Sequence, residues 1–377
     1  MRIGMMVGAA ALLAVAVGGV ARAQSFDDPK EFAAQRAMMS EKAEGPADKP
    51  WEQHIGGGMV DTAKYKKPGP YKLCFSNAGV GNPWRVVGWL TMQAEIDIHK
   101  SDIASFTVAD AEGKDDKQIS DIKAMLASGK CDVLMVSPNT TAALTPAVEE
   151  ACKQVPVIIF DRGVLTDCPV TVVKPIGGYA FGIAAADYIA ANVPKGGKVL
   201  ALRILPGVDV LENRWAAAKR IFDEKGIQVV GVEFTDGDRA KTKSIVEDYL
   251  TRTGKLDAVW MDAGATSVAA IEAFEDQGMA VPIVTGEDQQ DFLQKWKQSG
   301  MKAVAPTYPT YQWRTAVIAA LRVLKGEPVP GPAWSLPQPT ITAENLDKYV
   351  NEKMPPLHYA MCGCEGMPDY PQRWTGK

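Results

Sequence analysis

The stretch from Cys131 to Gly163, CDVLMVSPNTTAALTPAVEEACKQVPVIIFDRG, constrains the fold more than any other. It opens with the apolar run Val133 to Val136 and closes with a second, Val155 to Phe160. Between them Ala143, Leu144, Val148 and Cys152 fall at helical spacing. Short apolar runs without alternation suit strands covered on both faces of a parallel sheet. Strand, helix and strand in that order make a right-handed βαβ unit. Each run ends in polar residues, Ser137-Pro138-Asn139 after the first and Asp161-Arg162-Gly163 after the second. Open α/β sheets bind ligands at the carboxyl ends of their strands, so this unit predicts a ligand site.

The same alternation runs on both sides of it. A strand from Tyr71 to Phe75 leads into a polar, glycine-containing loop and a helix with Val86, Val87, Leu90 and Ala94 on one face. A strand around Phe106 to Val108 and a helix with Ile119, Ile122, Met125 and Leu126 inward follow. After Cys168 come a short strand at Val172-Val173, a flexible point at Gly177-Gly178 and a helix from Tyr179 to Val193. Strands at Val199 to Leu202, Gln228 to Glu233, Ala258 to Met261 and Ile283 to Thr285 then alternate with helices. Two α/β halves in succession predict a bilobal protein with a cleft.

A chain of 377 residues is long enough for a core in each half. A net charge of −4 argues against nucleic acid or an anionic membrane as the main partner. Arg2, the apolar run Gly4 to Val20 and Ala21-Arg22-Ala23 form a signal peptide with an A-x-A site, predicting cleavage near Ala23 and export to a bacterial periplasm. Export permits disulfides, but the connectivity of Cys74, Cys131, Cys152, Cys168, Cys362 and Cys364 stays open. Cys74, inside an apolar strand run, reads as a buried free thiol. Cys362-Gly363-Cys364 is not a CxxC redox motif and reads as structural, tying the tail to the body.

Gly79 and Gly81 follow the first strand, but the third glycine of a dinucleotide fingerprint falls on Trp84, so no cofactor is expected. Asp236 and Asp238 lack the calcium-loop pattern and read as a turn; no metal is expected. Hydrolase and phosphate-loop motifs are missing, and His54, His99 and His358 lie away from the strand-end motifs, so no catalytic residues are assigned and the chain reads as a non-enzyme.

FSNAGVGNPWR, SGKCDVLMVSPN, VPVIIFDRG, the helix from Gly182 to Val193 and VTGED occur in consecutive order. In that combination the chain resembles the type I periplasmic sugar-binding proteins, the ribose/galactose-binding class that serves ABC transporters, over about residues 70–335. The resemblance implies an α/β fold of two Rossmann-like lobes, with parallel sheets flanked by helices and joined by a three-crossover hinge. It places one lobe at 70–174 plus 308–335 and the other at 175–307 plus 336–360. Residues 24–69 remain as an N-terminal extension or linker with one surface helix, and 361–377 as a tail. It further implies a monomer that closes on a sugar or polyol and delivers it to a membrane permease, with no nucleic acid involved. Asn82 and Trp84 match the asparagine and stacking aromatic of the first loop, and Asp161 and Arg162 the family's Asp-Arg pair. Arg214 and Asp288 fall on polar ligand positions of the second lobe, Asp262 at or next to another, and Thr307 and Tyr308 sit near the third crossover.

Three departures stand out. Arg85 replaces a frequent second aromatic, Ser137 an asparagine and Glu287 another aromatic, so the site is more polar than one built to stack a simple pyranose. Two other functions share some of these features. A sensory receptor would present its closed form to a membrane kinase or chemoreceptor, and a glycoside-acting enzyme would use paired acids. A transcription regulator with this core would need an N-terminal helix-turn-helix, where the chain carries an export signal instead.

Overall fold

A computed structural model describes residues 26–376, so the cleavage expected near Ala23 lies outside the described residues. Two six-stranded sheets form the body. The first has the order Ala333–Leu336, Thr171–Pro175, Val157–Phe160, Val133–Ser137, Tyr71–Asn77, Ile103–Asp110, with every neighbouring pair parallel. The second runs Thr340–Ile341, Ala303–Pro306, Ile283–Thr285, Ala258–Met261, Lys198–Arg203, Gln228–Phe234. It is parallel except for the antiparallel edge strand Thr340–Ile341. The chain passes between the sheets three times: after Pro175, after Pro306 and after Leu336. This is a two-lobed α/β fold with a three-crossover hinge.

The strands that organise the sequence are buried throughout, as their apolar runs require. On one face of the first sheet Leu134, Val136 and Ile159 meet Ile122, Leu144 and Val148 of the flanking helices. On the other, Phe75 and Phe160 pack edge-to-face on Trp313 of the helix Gln312–Lys325. Burying each such side chain contributes about 1.5–3 kcal/mol. Gly88 lets the helix Pro83–Ile98 approach, because a Cβ there would lie 2.2 Å from the Trp313 indole nitrogen. No helix among the described residues is long and apolar enough to cross a membrane.

The segments at either end of the described residues are fastened to the lobes. The helix Pro29–Met38 lies on the helix Gly178–Asn192 of the second lobe, where Arg36 forks onto Asp187 and the Gln35 carboxamide accepts the Ala180 N–H. Further on, Gly58–Val60 pairs antiparallel with Val329–Gly331 beside the first sheet. At the other end, residues 356–361 pair with the second lobe: Gln290 and Asp291 donate to the carbonyls of His358 and Pro356, and Ala360 donates to that of Asp288. Trp374 then packs on the helix Pro83–Ile98 of the first lobe and donates to Thr91 at 3.3 Å.

The cysteines correct two expectations. Cys74 is not a free thiol; it is bonded to Cys131, their Cα atoms 5.5 Å apart. The sequence hides this because the strands Tyr71–Asn77 and Val133–Ser137 are neighbours in the sheet, although a whole strand separates them along the chain. Cys362 bonds to Cys364 and not to the body, so the tail is held by hydrogen bonds and packing. Cys152 joins Cys168. The Cys74–Cys131 loop spans 57 residues and the Cys152–Cys168 loop 16. Loop-closure entropy assigns them about 4 and about 3 kcal/mol. Replacing each pair by alanines should lower the urea unfolding free energy in that order; equal or reversed losses would reject the loop-closure origin.

Candidate functional site

The first lobe's contribution begins at the start of the helix Pro83–Ile98. Asn82 caps this helix, its Oδ1 accepting the Arg85 N–H at 2.9 Å. The cap turns the Arg85 guanidinium inward, where it donates to Asp161 Oδ2 at 2.6 Å, to Ser137 Oγ at 3.2 Å and to Asn77 Oδ1 at 3.4 Å. Burial lowers Arg85 to about 10, partly offset by Asp161, so it remains a cation at neutral pH. Asp161 ends its strand with φ +70°, a left-handed turn that aspartate tolerates better than branched residues. Its neighbour Arg162 donates to the Asn139 carbonyl, with Nε 4.0 Å from Asp161 Oδ2. The Trp84 indole donates to the Tyr308 carbonyl at 2.6 Å, fixing the aromatic against the second crossing.

The second lobe answers with Arg214 on the helix Asp209–Lys225. Its Nη1 donates to Glu287 Oε1 at 2.9 Å and to the Asp262 carbonyl at 2.6 Å. The guanidinium lies over Phe181 at 3.8 Å and over Tyr308 at 4.9 Å, and its Nε is buried with no hydrogen-bond partner. Gly182 makes this possible: a Cβ there would sit 2.1 Å from the Arg214 carbonyl and push the two helices apart. Tyr359, brought in by the tail, donates to Glu287 Oε2 at 3.2 Å. Tyr308 donates to the Asp161 carbonyl at 3.1 Å, and burial holds its phenol well above the ordinary value.

Between these groups lies a cavity of about 350 Å³. Six of the residues expected from sequence line it: Asn82, Trp84, Arg85, Asp161, Arg162 and Arg214. Four stand back from it. Ser137 lies beneath the Arg85–Asp161 pair, and its carbonyl accepts from Gln118. Asp262 supports the loop behind Arg214, its Oδ1 accepting the Ile204 N–H. Asp288 holds the tail, accepting the Met361 N–H at 2.7 Å. Thr307 donates to the Pro339 carbonyl at the hinge.

Other groups line the cavity as well, among them Glu287, Tyr308, Tyr359, Asp236 and the apolar Ile204, Leu205, Val208, Val210 and Leu211. Glu287 was visible at a strand end, and only the direction of its side chain separates it from Asp288. Tyr359 carried no signal, since its place depends on the path of the tail. Among the described residues, His358, Cys362 and Cys364 bring metal-type donors within 4.8 Å of one another, outside this cavity, with the two sulfurs committed to their own disulfide.

Arg85 and Asp161 each expose only 6% of their side chains. Arg85→Met should therefore cost about 3 kcal/mol in urea unfolding by stranding a buried carboxylate, and adding Asp161→Asn should restore most of it. A single-variant loss below about 1 kcal/mol would show the pair to be solvated. Burial raises Asp288 from 3.8 to about 7. A carboxyl raised on folding stabilises most below its unfolded pKa, and that stabilisation is lost as pH rises through the folded value. Asp288→Asn should thus gain on the wild type between about pH 4.5 and about pH 8 in chemical unfolding; a pH-independent difference would reject the shift.

The sequence pattern of the family described as "Periplasmic binding protein domain" matches residues 73–328, more than half of the chain. The ribose import binding protein of Bacillus subtilis (strain 168) is 29% identical over 223 residues, 59% of this chain and 72% of that protein. Among solved structures, an ABC transporter solute binding protein from Thermobispora bispora is similar at TM-score 0.64 and 25% identity, covering 76% of this chain and 89% of its own. One from Bacillus halodurans with bound myo-inositol aligns at TM-score 0.66 and 21% identity, over 75% and 98%. The fructose binding periplasmic domain of a hybrid two component system aligns at 0.64 and 21%, over 74% and 92%. The chain belongs to the periplasmic binding protein domain family, in the type I class that contains the sugar-binding proteins.

Proposed function

We propose that this protein captures a sugar or polyol between its lobes in the periplasm, closes over it by bending at the three crossings, and delivers it to an ABC transporter permease. The observation that carries the reading is the convergence of two oppositely sourced ion pairs, Arg85–Asp161 and Arg214–Glu287, on one cavity at the strand ends. Carboxylates accept from hydroxyls and guanidinium groups donate in a planar fork, which is the complement of a polyol. Hydrogen bonds to charged groups contribute about 1.5–3 kcal/mol each. A few of them plus contact with Trp84 reach the ~8 kcal/mol of micromolar affinity after ordering costs. The acids are held by arginines, an arrangement that recognises hydroxyls and does not pass protons to a scissile bond, which supports a binding protein over a glycoside-acting enzyme.

A sensory role uses the same capture step, and the fructose binding domain of the two component system has this fold. Uptake of the bound sugar by a strain lacking the gene separates the two: impaired uptake supports transport, and normal uptake assigns the protein to sensing. For capture itself, a thermal-shift screen across pentoses, hexoses, deoxysugars and polyols should find a carbohydrate that raises the melting temperature. Arg162→Ala keeps both buried ion pairs, and should weaken that ligand about 10- to 100-fold in calorimetric titration. A screen without any carbohydrate hit would overturn the reading.

A further inference from the structure

The cavity walls are chemically segregated. Asn82, Arg85, Asp161 and Arg162 come from the first lobe, with Arg214 and Glu287 opposite. Most of the remaining lining from the second lobe is apolar: Ile204, Leu205, Val208, Val210 and Leu211 reach the cavity from the loop after the strand Lys198–Arg203 and the first turn of the next helix, Ala263 and Ala265 lie beside them, and the one carboxylate there, Asp236, is paired with Lys241. Leu205 is 44% exposed, so this wall is not simply core showing through. A hydroxyl turned toward it would leave water without finding a side-chain partner, whereas a methyl or methylene would gain by burial.

We propose that the ligand is a carbohydrate with one edge stripped of free hydroxyls, a deoxysugar or an O-alkylated sugar, seated with that edge on the aliphatic wall and its remaining hydroxyls on the two ion pairs. This rests on the carbohydrate-capture reading. It also gives the two charged departures a common sense. Arg85 and Glu287 remove aromatic faces that would stack a symmetric ring, and the apolar contact is moved to residues 204–211 at one edge.

Matched pairs test it on the purified full chain by calorimetric titration: L-rhamnose against L-mannose, L-fucose against L-galactose, and methyl β-D-xyloside against D-xylose. In at least one pair the deoxy or O-methyl member should bind about tenfold more tightly or better, the range a hydrophobic pocket gives for one small group. Val208→Asn supplies the check on location. Position 208 is the N-cap of the helix Asp209–Lys225 and makes no side-chain cap there, so asparagine favours the fold while placing a hydrogen-bonding group in the wall. The variant should keep or raise the ligand-free melting temperature and should narrow or invert the preference. If carbohydrates bind but every fully hydroxylated partner binds as well as its counterpart, the inference falls and capture stands. An unchanged preference in Val208→Asn also overturns it. If no carbohydrate binds at all, capture itself has failed.

Discussion

Burying charge without stranding it is the constraint from which the architecture of the cleft follows. Arg85 and Asp161 sit 2.6 Å apart, and Arg214 and Glu287 2.9 Å apart, all of them nearly shut off from solvent. An ion taken out of water costs several kcal/mol unless its partner is held in good geometry and its other hydrogen-bonding positions are met. Each partner comes from a different element, so the scaffold has to place them independently. The Asn82 cap aims Arg85, the left-handed turn at residue 161 aims the aspartate, and the missing Cβ of Gly182 sets the height of Arg214. A parallel sheet does this well, because its strand ends share one edge and its buried faces leave them little freedom.

The segments that flank the lobes among the described residues extend this logic. The tail leaves the second lobe at residues 356–361, passes Tyr359 into the cavity, turns at the Cys362–Cys364 bond and lays Trp374 on the first lobe. The N-terminal extension likewise touches both, through the Pro29–Met38 helix on one and the Gly58–Val60 strand beside the other. Segments that read as irregular thus run alongside the three crossings.

Where the sequence could be read, local chemistry made it legible. The apolar runs at 133–136 and 155–160 had to be covered strands, and the polar residues after them had to gather at one edge. That logic placed Asp161 and Arg162 at the cavity wall, while Asn82 and Trp84 were expected there only from the family resemblance. It failed where a side chain's direction decided the outcome. Asp288 and Glu287 are adjacent, yet one turns down to hold Met361 and the other up to meet Arg214. Asp262 lies behind its loop for the same reason, and Ser137 sits beneath the pair it was expected to join. Cys74 looked like a small core residue because nothing local shows that Cys131 is beside it.

The order of apolar runs and the charged strand ends belong to the sequence, since each depends on residues close together in the chain. The succession of two α/β halves follows from that order. Tertiary structure alone chose the disulfide partners, brought Tyr359 into the cleft from the far end of the chain, and set an aliphatic wall against a charged one. Those outcomes depend on which segments meet in space, and spacing along the chain carries almost no information about contacts between residues tens to hundreds of positions apart.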